Sequence, residues 1–214
     1  MSSCLLVSGS LKRSTAVGIT DNFNRANGAL GNRSDGGTWT LVNGTAPVIS
    51  SNTLVAGAAA GYIGADLGYQ NGTYSVDVNT TVGTFTPIMR FLSDGTATTN
   101  YCGLAIDTAF DASAFGLRFF THSAGTFFTG AACPISNTAV FTSGTTGTVT
   151  VVITGAPSDP RFTLKFNGTV VPASPAYPTS ASGQQQTLAA NAGSTKTGIE
   201  VPASGVTFDN FSAA

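Results

Sequence analysis

The chain has 214 residues, enough for one domain with a sizeable core, and a formal net charge of −1. Only 9% of its residues are charged, against about 25% in an average globular protein, so there is no basic field for nucleic acid and no support for an acidic-substrate or membrane-surface role. Hydrophobic residues make up 42% of the chain and include 14 phenylalanines, which is not a disordered composition.

Residues 1–18 read as an arm ahead of the main module. Their apolar run is followed, not preceded, by Lys12 and Arg13, which argues against a signal peptide. No stretch approaches the ~20 apolar residues of a membrane span, and the expectation is assembly in a cytoplasm. From residue 19 to 214 helical periodicity is almost absent. Short β-branched or aromatic runs alternate with turn pairs, among them Asn27-Gly28, Asp35-Gly36, Asn43-Gly44, Asn71-Gly72, Asp94-Gly95 and Asn167-Gly168. Strands are predicted at 38–42 around Trp39, at 73–78, where Tyr74, Val76 and Val78 share one side, and at 85–92, 101–107 and 115–121. Phe119-Phe120 and Phe127-Phe128 flank a predicted hairpin with His122 at its tip. Further strands are predicted at 149–153, 162–166 and 205–212. About a dozen strands are too many for one open sheet. The reading is all-β: a two-sheet antiparallel jelly-roll sandwich. Residues 172–195, rich in Pro, Ala, Ser and Gly around Gln184-Gln185-Gln186, read as a long loop, either in contact with a neighbouring subunit or flexible.

The chemistry-bearing inventory is thin. Glycoside hydrolysis needs paired carboxylates, yet Glu200 is the only glutamate, the aspartates sit mostly in turns, and no E-x-D-x-x-E strand is present. No G-x-S-x-G elbow accompanies Ser123 and the lone His122, and no phosphate-binding glycine loop is followed by Lys-Ser/Thr. The expectation is a protein that is not an enzyme. Cys4, Cys102 and Cys133 form no C-x-x-C pair; Cys102 and Cys133 read as small buried hydrophobes, with a disulfide as the other option. The Asn-x-Ser/Thr sequons read as turns entering strands. Asp21 and Asp209 lie near the two ends of the module. They are candidates for holding a structural Ca2+, or for accepting backbone N–H bonds that lock the termini. Tyr62, Tyr69, Tyr101 and Tyr177 are candidates for an exposed glycan-stacking platform.

Several phrases together resemble a known family. Residues 19–31, Ile-Thr-Asp-Asn-Phe-Asn-Arg-Ala-Asn-Gly-Ala-Leu-Gly, are similar to the opening of concanavalin-like (laminin-G-like) jelly-roll modules in bacteriophage minor tail, appendage and decoration proteins. Trp39, Ile49-x-x-Asn52-x-Leu54, Arg90-Phe91, Asn100-Tyr101, the hairpin around Asn167-Gly168-Thr169, Thr197-Gly198-Ile199 and residues 207–211 follow in the family's order. The resemblance covers residues 19–213; the arm before Ile19 is additional. It implies a two-sheet sandwich on a virion, a structural or attachment role, and other virion proteins or copies of itself as partners. A carbohydrate-binding receptor module, or an accessory domain of a secreted glycan-active protein, is the alternative it leaves open.

Overall fold

The computed structural model describes residues 18–81, 86–93, 101–107, 116–123, 126–128, 144–156, 159–171, 184–185, 194–203 and 205–214. These residues form strands and turns, with no helix among them. In chain order the strands are β1 (Ile19–Asp21), β2 (Gly28–Ala29), β3 (Thr40–Gly44), β4 (Val48–Ser50), β5 (Thr53–Val55) and β6 (Gly61–Asp66). Then come β7 (Gly72–Thr80), β8 (Thr86–Ser93), β9 (Tyr101–Asp107), β10 (Gly116–Ser123), β11 (Thr126–Phe128) and β12 (Thr146–Ala156). The last five are β13 (Asp159–Phe166), β14 (Thr169–Val170), β15 (Gln184–Gln185), β16 (Lys196–Val201) and β17 (Val206–Ala213).

They assemble into two antiparallel sheets. The ten-stranded sheet runs β14-β13-β12-β7-β17-β5-β4-β2, with β1 also paired to β17 and β15 to β13. The seven-stranded sheet runs β11-β10-β9-β8-β16-β6-β3. In both, a strand from the end of the chain lies in the middle: β17 between β7 and β5, β16 between β8 and β6.

Period-two alternation builds the core. In β7, Tyr74, Val76 and Val78 are buried while Thr73 is exposed and Ser75 and Asp77 are half-buried. Val149, Val151 and Ile153 of β12 and Phe208 and Phe211 of β17 continue that inner face. Ile63, Phe91, Leu104, Ile106, Ile199 and Val201 supply the facing layer from the seven-stranded sheet, within one cluster. Tyr74 meets Phe91 edge-on across the layers, centroids 5.3 Å apart at 72°. Each fully buried Val, Leu, Ile or Phe contributes roughly 1.5–3 kcal/mol, and their shared inward face fixes the register. Cys102 lies in this core as a small buried side chain.

The strand expected at 101–107 is β9, and that at 73–78 is the centre of β7. Asn167 and Gly168 take φ of 48° and 79°, the two positive angles of a tight hairpin between β13 and β14. The strand at 38–42 begins two residues later, because Thr38 forms an isolated bridge with Asn32. His122 is not at a hairpin tip: it pairs with Tyr101 on one side and Phe127 on the other, inside β10. The arm at 1–18, apart from Gly18, lies outside the described residues, as do Cys4, Cys133, Tyr177 and most of 172–195. Within that expected loop, Gln184 and Gln185 pair with Phe162 and Arg161 as β15.

Candidate functional site

The outer face of the seven-stranded sheet carries an unusual row. The strand pairings align Phe120, Gly103, Arg90, Gly198, Gly64 and Thr40 across β10, β9, β8, β16, β6 and β3. Their chain neighbours Cys102, Leu104, Met89, Phe91, Ile199 and Ile63 point into the sandwich core, which puts the row on the opposite side. The three glycines let rings lie flat against the sheet. A Cβ on Gly103 would stand 2.1 Å from the Phe120 ring, and one on Gly198 only 2.7 Å from the Tyr62 ring. Tyr62 thus lies over Gly64 and Gly198, and Phe120 over Gly103, where it packs with Tyr101 at 5.8 Å, edge to face.

Arg90 stands between these rings. Its guanidinium carbon is 4.2 Å from the Tyr62 centroid and 4.0 Å from that of Tyr101, so the cation is flanked by two aromatic faces. Such contacts reach about 2 kcal/mol each when water is excluded, and Arg90 is 4% exposed. Its Nε donates to Glu200 Oε2 at 2.7 Å. Burial by itself pulls the guanidinium pKa down, but the Glu200 hydrogen bond and charge outweigh it and hold it above its ordinary value. Burial likewise pushes the Tyr101 hydroxyl upward, and the Glu200 charge adds to the effect.

Two adjoining depressions share Tyr62 as their divider. One, about 60 Å³, is lined by Asn43, Gly44, Gly61, Tyr62, Arg90 and Glu200. The other, about 260 Å³, has Val42, Tyr62, Gly64 and Ala65 as an apolar floor, with Thr40, Asp66 and Lys196 at its polar rim. Asp66 is held ionised: Thr195 Oγ1 donates to it at 2.5 Å, the Gly68 N–H at 2.9 Å, and Lys196 adds its charge, so its pKa lies below the usual carboxylate value. The larger depression therefore offers fixed acceptors and a donor above a flat apolar surface.

The structure redistributes the tyrosines expected to form an exposed platform. Tyr62 and Tyr101 are each 2% exposed, because they pack against Arg90 and the glycine row instead of facing solvent. Tyr69 sits elsewhere, half-buried, its hydroxyl donating to the Ala213 carbonyl at 3.2 Å. Tyr177 lies outside the described residues. What sequence reasoning passed over is Arg90, Glu200, Asp66 and Lys196, which belong to strands whose pairing brings them to Tyr62.

Asp21 and Asp209 do approach one another, since Asp21 pairs with Phe211 two residues beyond Asp209. Asp21 is fully buried, and its carboxylate gathers donors from residues 23–39, one of them a backbone N–H, and none from the C-terminal strand. Its Oδ1 accepts from the Phe23 N–H at 3.0 Å and the Ser34 hydroxyl at 3.3 Å, and its Oδ2 accepts from Arg25 Nη2 and Trp39 Nε1, both at 2.7 Å. Four donors occupy the lone pairs a calcium ion would need. Among the described residues no group of three or more His, Cys, Asp or Glu side chains is placed to hold a metal.

Asp209 instead faces Asp77 directly across β7 and β17. Burial raises its pKa, and the charges of Asp77 and Asp21 add to the rise. A raised carboxylate is favourable to the fold in its protonated form, so that contribution is present at acid pH and lost as pH rises through the folded pKa. Asp209→Asn keeps the acceptor for the Asn210 N–H and removes the repulsion. It is expected to stabilise the protein by roughly 0.2–1 kcal/mol at neutral pH, with the gain fading toward pH ~4. Denaturant titrations at several pH values check this, and a gain that grows on acidification contradicts it. Melting curves with added Ca2+ test the other role: a rise in wild type that is absent in Asp209→Asn would reinstate a cation there.

No protein-family model matches the chain, and no curated relative matches it. Among solved structures it is similar to the carbohydrate-binding module CBM66 from Bacillus subtilis, at 17% identity, covering 82% of this chain and 95% of that one, with a TM-score of 0.52. The chain is a jelly-roll β-sandwich. The jelly roll is also matched by galectin LEC-6 of Caenorhabditis elegans (14% identity, 72% of this chain, 90% of that one, TM-score 0.43). A tail fibre protein of an E. coli phage matches at 12% identity over 69% of this chain and 15% of its own (TM-score 0.35). Neither of these two adds to the fold assignment.

Proposed function

We propose that this jelly roll is a non-catalytic carbohydrate-binding module whose binding face is the outer face of the seven-stranded sheet around Tyr62. The observation that carries this reading is the depression of about 260 Å³ beside Tyr62. Its apolar floor suits the C–H face of a sugar ring, while Asp66, Lys196 and Thr40 suit the hydroxyl edge. That volume lies just below the 300–1,000 Å³ of drug-sized sites and fits one sugar ring rather than a chain of them. Glu200 supports a binding role over a catalytic one: its carboxylate is engaged by Arg90, and the two depressions contribute one further carboxylate, Asp66, itself held by Thr195 and Gly68. The fold shared with a carbohydrate-binding module from Bacillus subtilis agrees with this reading.

The test is a glycan array followed by calorimetry on hits with wild type, Lys196→Ala and Asp66→Asn. The expected result is a saccharide bound by wild type and weakened at least tenfold, or about 1.4 kcal/mol, by each substitution. An array with no hits, or hits indifferent to both variants, would remove this face from consideration.

A second reading is favoured by the order of sequence phrases shared with phage tail, appendage and decoration modules. In it the module sits on a virion assembled in a host cytoplasm, with copies of itself or other virion proteins as neighbours, and presents the depression rimmed by Thr40, Asp66 and Lys196 to host-surface glycans. Co-sedimentation with purified particles, and light scattering for a defined oligomer, test that placement.

A further inference from the structure

The sequence holds four Asn-Gly pairs among the described residues, each with an exposed asparagine: Asn27-Gly28, Asn43-Gly44, Asn71-Gly72 and Asn167-Gly168. Glycine lacks the Cβ that hinders attack by its own amide nitrogen on the preceding side chain. All four share that chemistry, but the structure treats them differently. Asn27 Oδ1 accepts from the Ser51 N–H, Asn167 Oδ1 accepts from the Thr148 N–H, and Asn71 Nδ2 donates to the Gly155 carbonyl, each at 2.8 Å. Those three side chains are tied to remote backbone. Asn43 is the exception: its Oδ1 accepts from the N–H of Gly44 itself, at 2.8 Å. The nitrogen that would attack is therefore already beside the Asn43 side-chain carbonyl carbon.

The backbone around this pair adds to the case. β3 is the last strand of the seven-stranded sheet, its pairing to β6 slips between Leu41 and Asn43, and Gly44 takes a φ of 78°. A Cβ at Gly44 would stand 2.2 Å from the Ala60 carbonyl oxygen, so the fold requires glycine there.

We infer that Asn43 is a site of spontaneous deamidation in the folded protein, a modification that places a new carboxylate on the rim of the Arg90–Glu200 depression. The Gly44 nitrogen loses its proton to base and forms a bond to the Asn43 Cγ; the bond from Cγ to the side-chain nitrogen breaks and ammonia leaves. Water then opens the resulting succinimide to aspartate or isoaspartate, so the net change is addition of water and loss of ammonia. Asn43 and Gly44 line the same small depression as Tyr62, Arg90 and Glu200. The product carboxylate joins Glu200 on the rim of the depression that Arg90 also lines, and an isoaspartate lengthens the strand backbone by one carbon at that rim. The inference about the modification stands apart from the sugar-binding reading, because its readout is chemical.

The experiment is incubation of the full chain in mildly alkaline buffer, folded and in denaturant, with peptide mapping of all four Asn-Gly pairs over time. In the folded protein Asn43 is expected to convert several-fold faster than Asn27, Asn71 and Asn167, with the four rates converging in denaturant. Equal rates in the folded protein would overturn the inference. So would an Asn43 lead that persists unchanged in denaturant, since that would trace to local sequence and not to the fold. Asn43→Gln is expected to abolish the early conversion while leaving the other three sites as they were.

Discussion

Arg90→Ala is expected to destabilise the protein by about 3–5 kcal/mol, the range for stranding one member of a buried ion pair. Three losses coincide in that substitution. Glu200 keeps its charge with 22% side-chain exposure and no guanidinium. Tyr62 and Tyr101 lose the cation between their faces. A planar group closed in by two rings is replaced by a methyl, leaving a void between them. Arg90→Lys separates the contributions, because it keeps the charge but not the plane that stacks on both rings, and a loss of about 1–2 kcal/mol is expected from it. Urea titrations read both directly. A loss below about 1 kcal/mol for Arg90→Ala would mean that the sandwich adds little, and that the tyrosines pack equally well alone.

The second large effect belongs to Asp21. Asp21→Ala deprives the Phe23 amide, the Arg25 guanidinium and the Trp39 indole of one shared acceptor, while the Ser34 hydroxyl keeps Asn22 Oδ1 at 2.8 Å, and a cost of about 3–5 kcal/mol is expected. Phe23 adds a reason for so large a value. It is fully buried at a φ of 49°, a left-handed conformation that the Asp21 bond to its N–H holds in place. Asp21→Asn is not a mild replacement here, since one oxygen becomes an NH2 facing either Arg25 and Trp39 or the Phe23 amide and Ser34. Trp39 is the only tryptophan in the chain and packs on Phe23 and Phe211, so its fluorescence reports the site. A red-shifted emission in the folded variant accompanies the loss; unchanged emission and stability would show that the cluster is dispensable.

Much of the fold was legible because period-two alternation survives wherever side chains are large. β7, β9 and β12 declare themselves through Tyr74-Val76-Val78, the run from Tyr101 and Val149-Val151-Ile153. β6 and β16 do not. Gly-Tyr-Ile-Gly-Ala-Asp and Lys-Thr-Gly-Ile-Glu-Val contain the glycines that depress strand propensity, and two of them, Gly64 and Gly198, leave the room that Tyr62 occupies. The feature that builds the candidate site is therefore the one that hid its strands. The same logic explains the tyrosines: residue type suggested half-exposed rings, and only strand pairing revealed that Tyr62 and Tyr101 close on Arg90. Asp21 stood out in the sequence as a carboxylate near one end of the module, but its donors lie 2 to 18 positions along the chain, and nothing in the sequence pattern joins them.

The placement of β16 and β17 has a consequence for how the molecule comes into being. Until residues 196–213 have been synthesised, neither sheet has its middle. β14-β13-β12-β7 and β5-β4-β2 are separate ribbons, as are β11-β10-β9-β8 and β6-β3, and each presents an open edge. The chain can collapse early, but the sandwich cannot close until β16 and β17 have been made and each has entered the gap in its own sheet. Closing the larger sheet therefore waits on partners distant in sequence, with loop closures spanning more than a hundred residues between β17 and β7 or β5. A chain cut before β16 is an open-edged, adhesive intermediate instead of a slightly smaller sandwich.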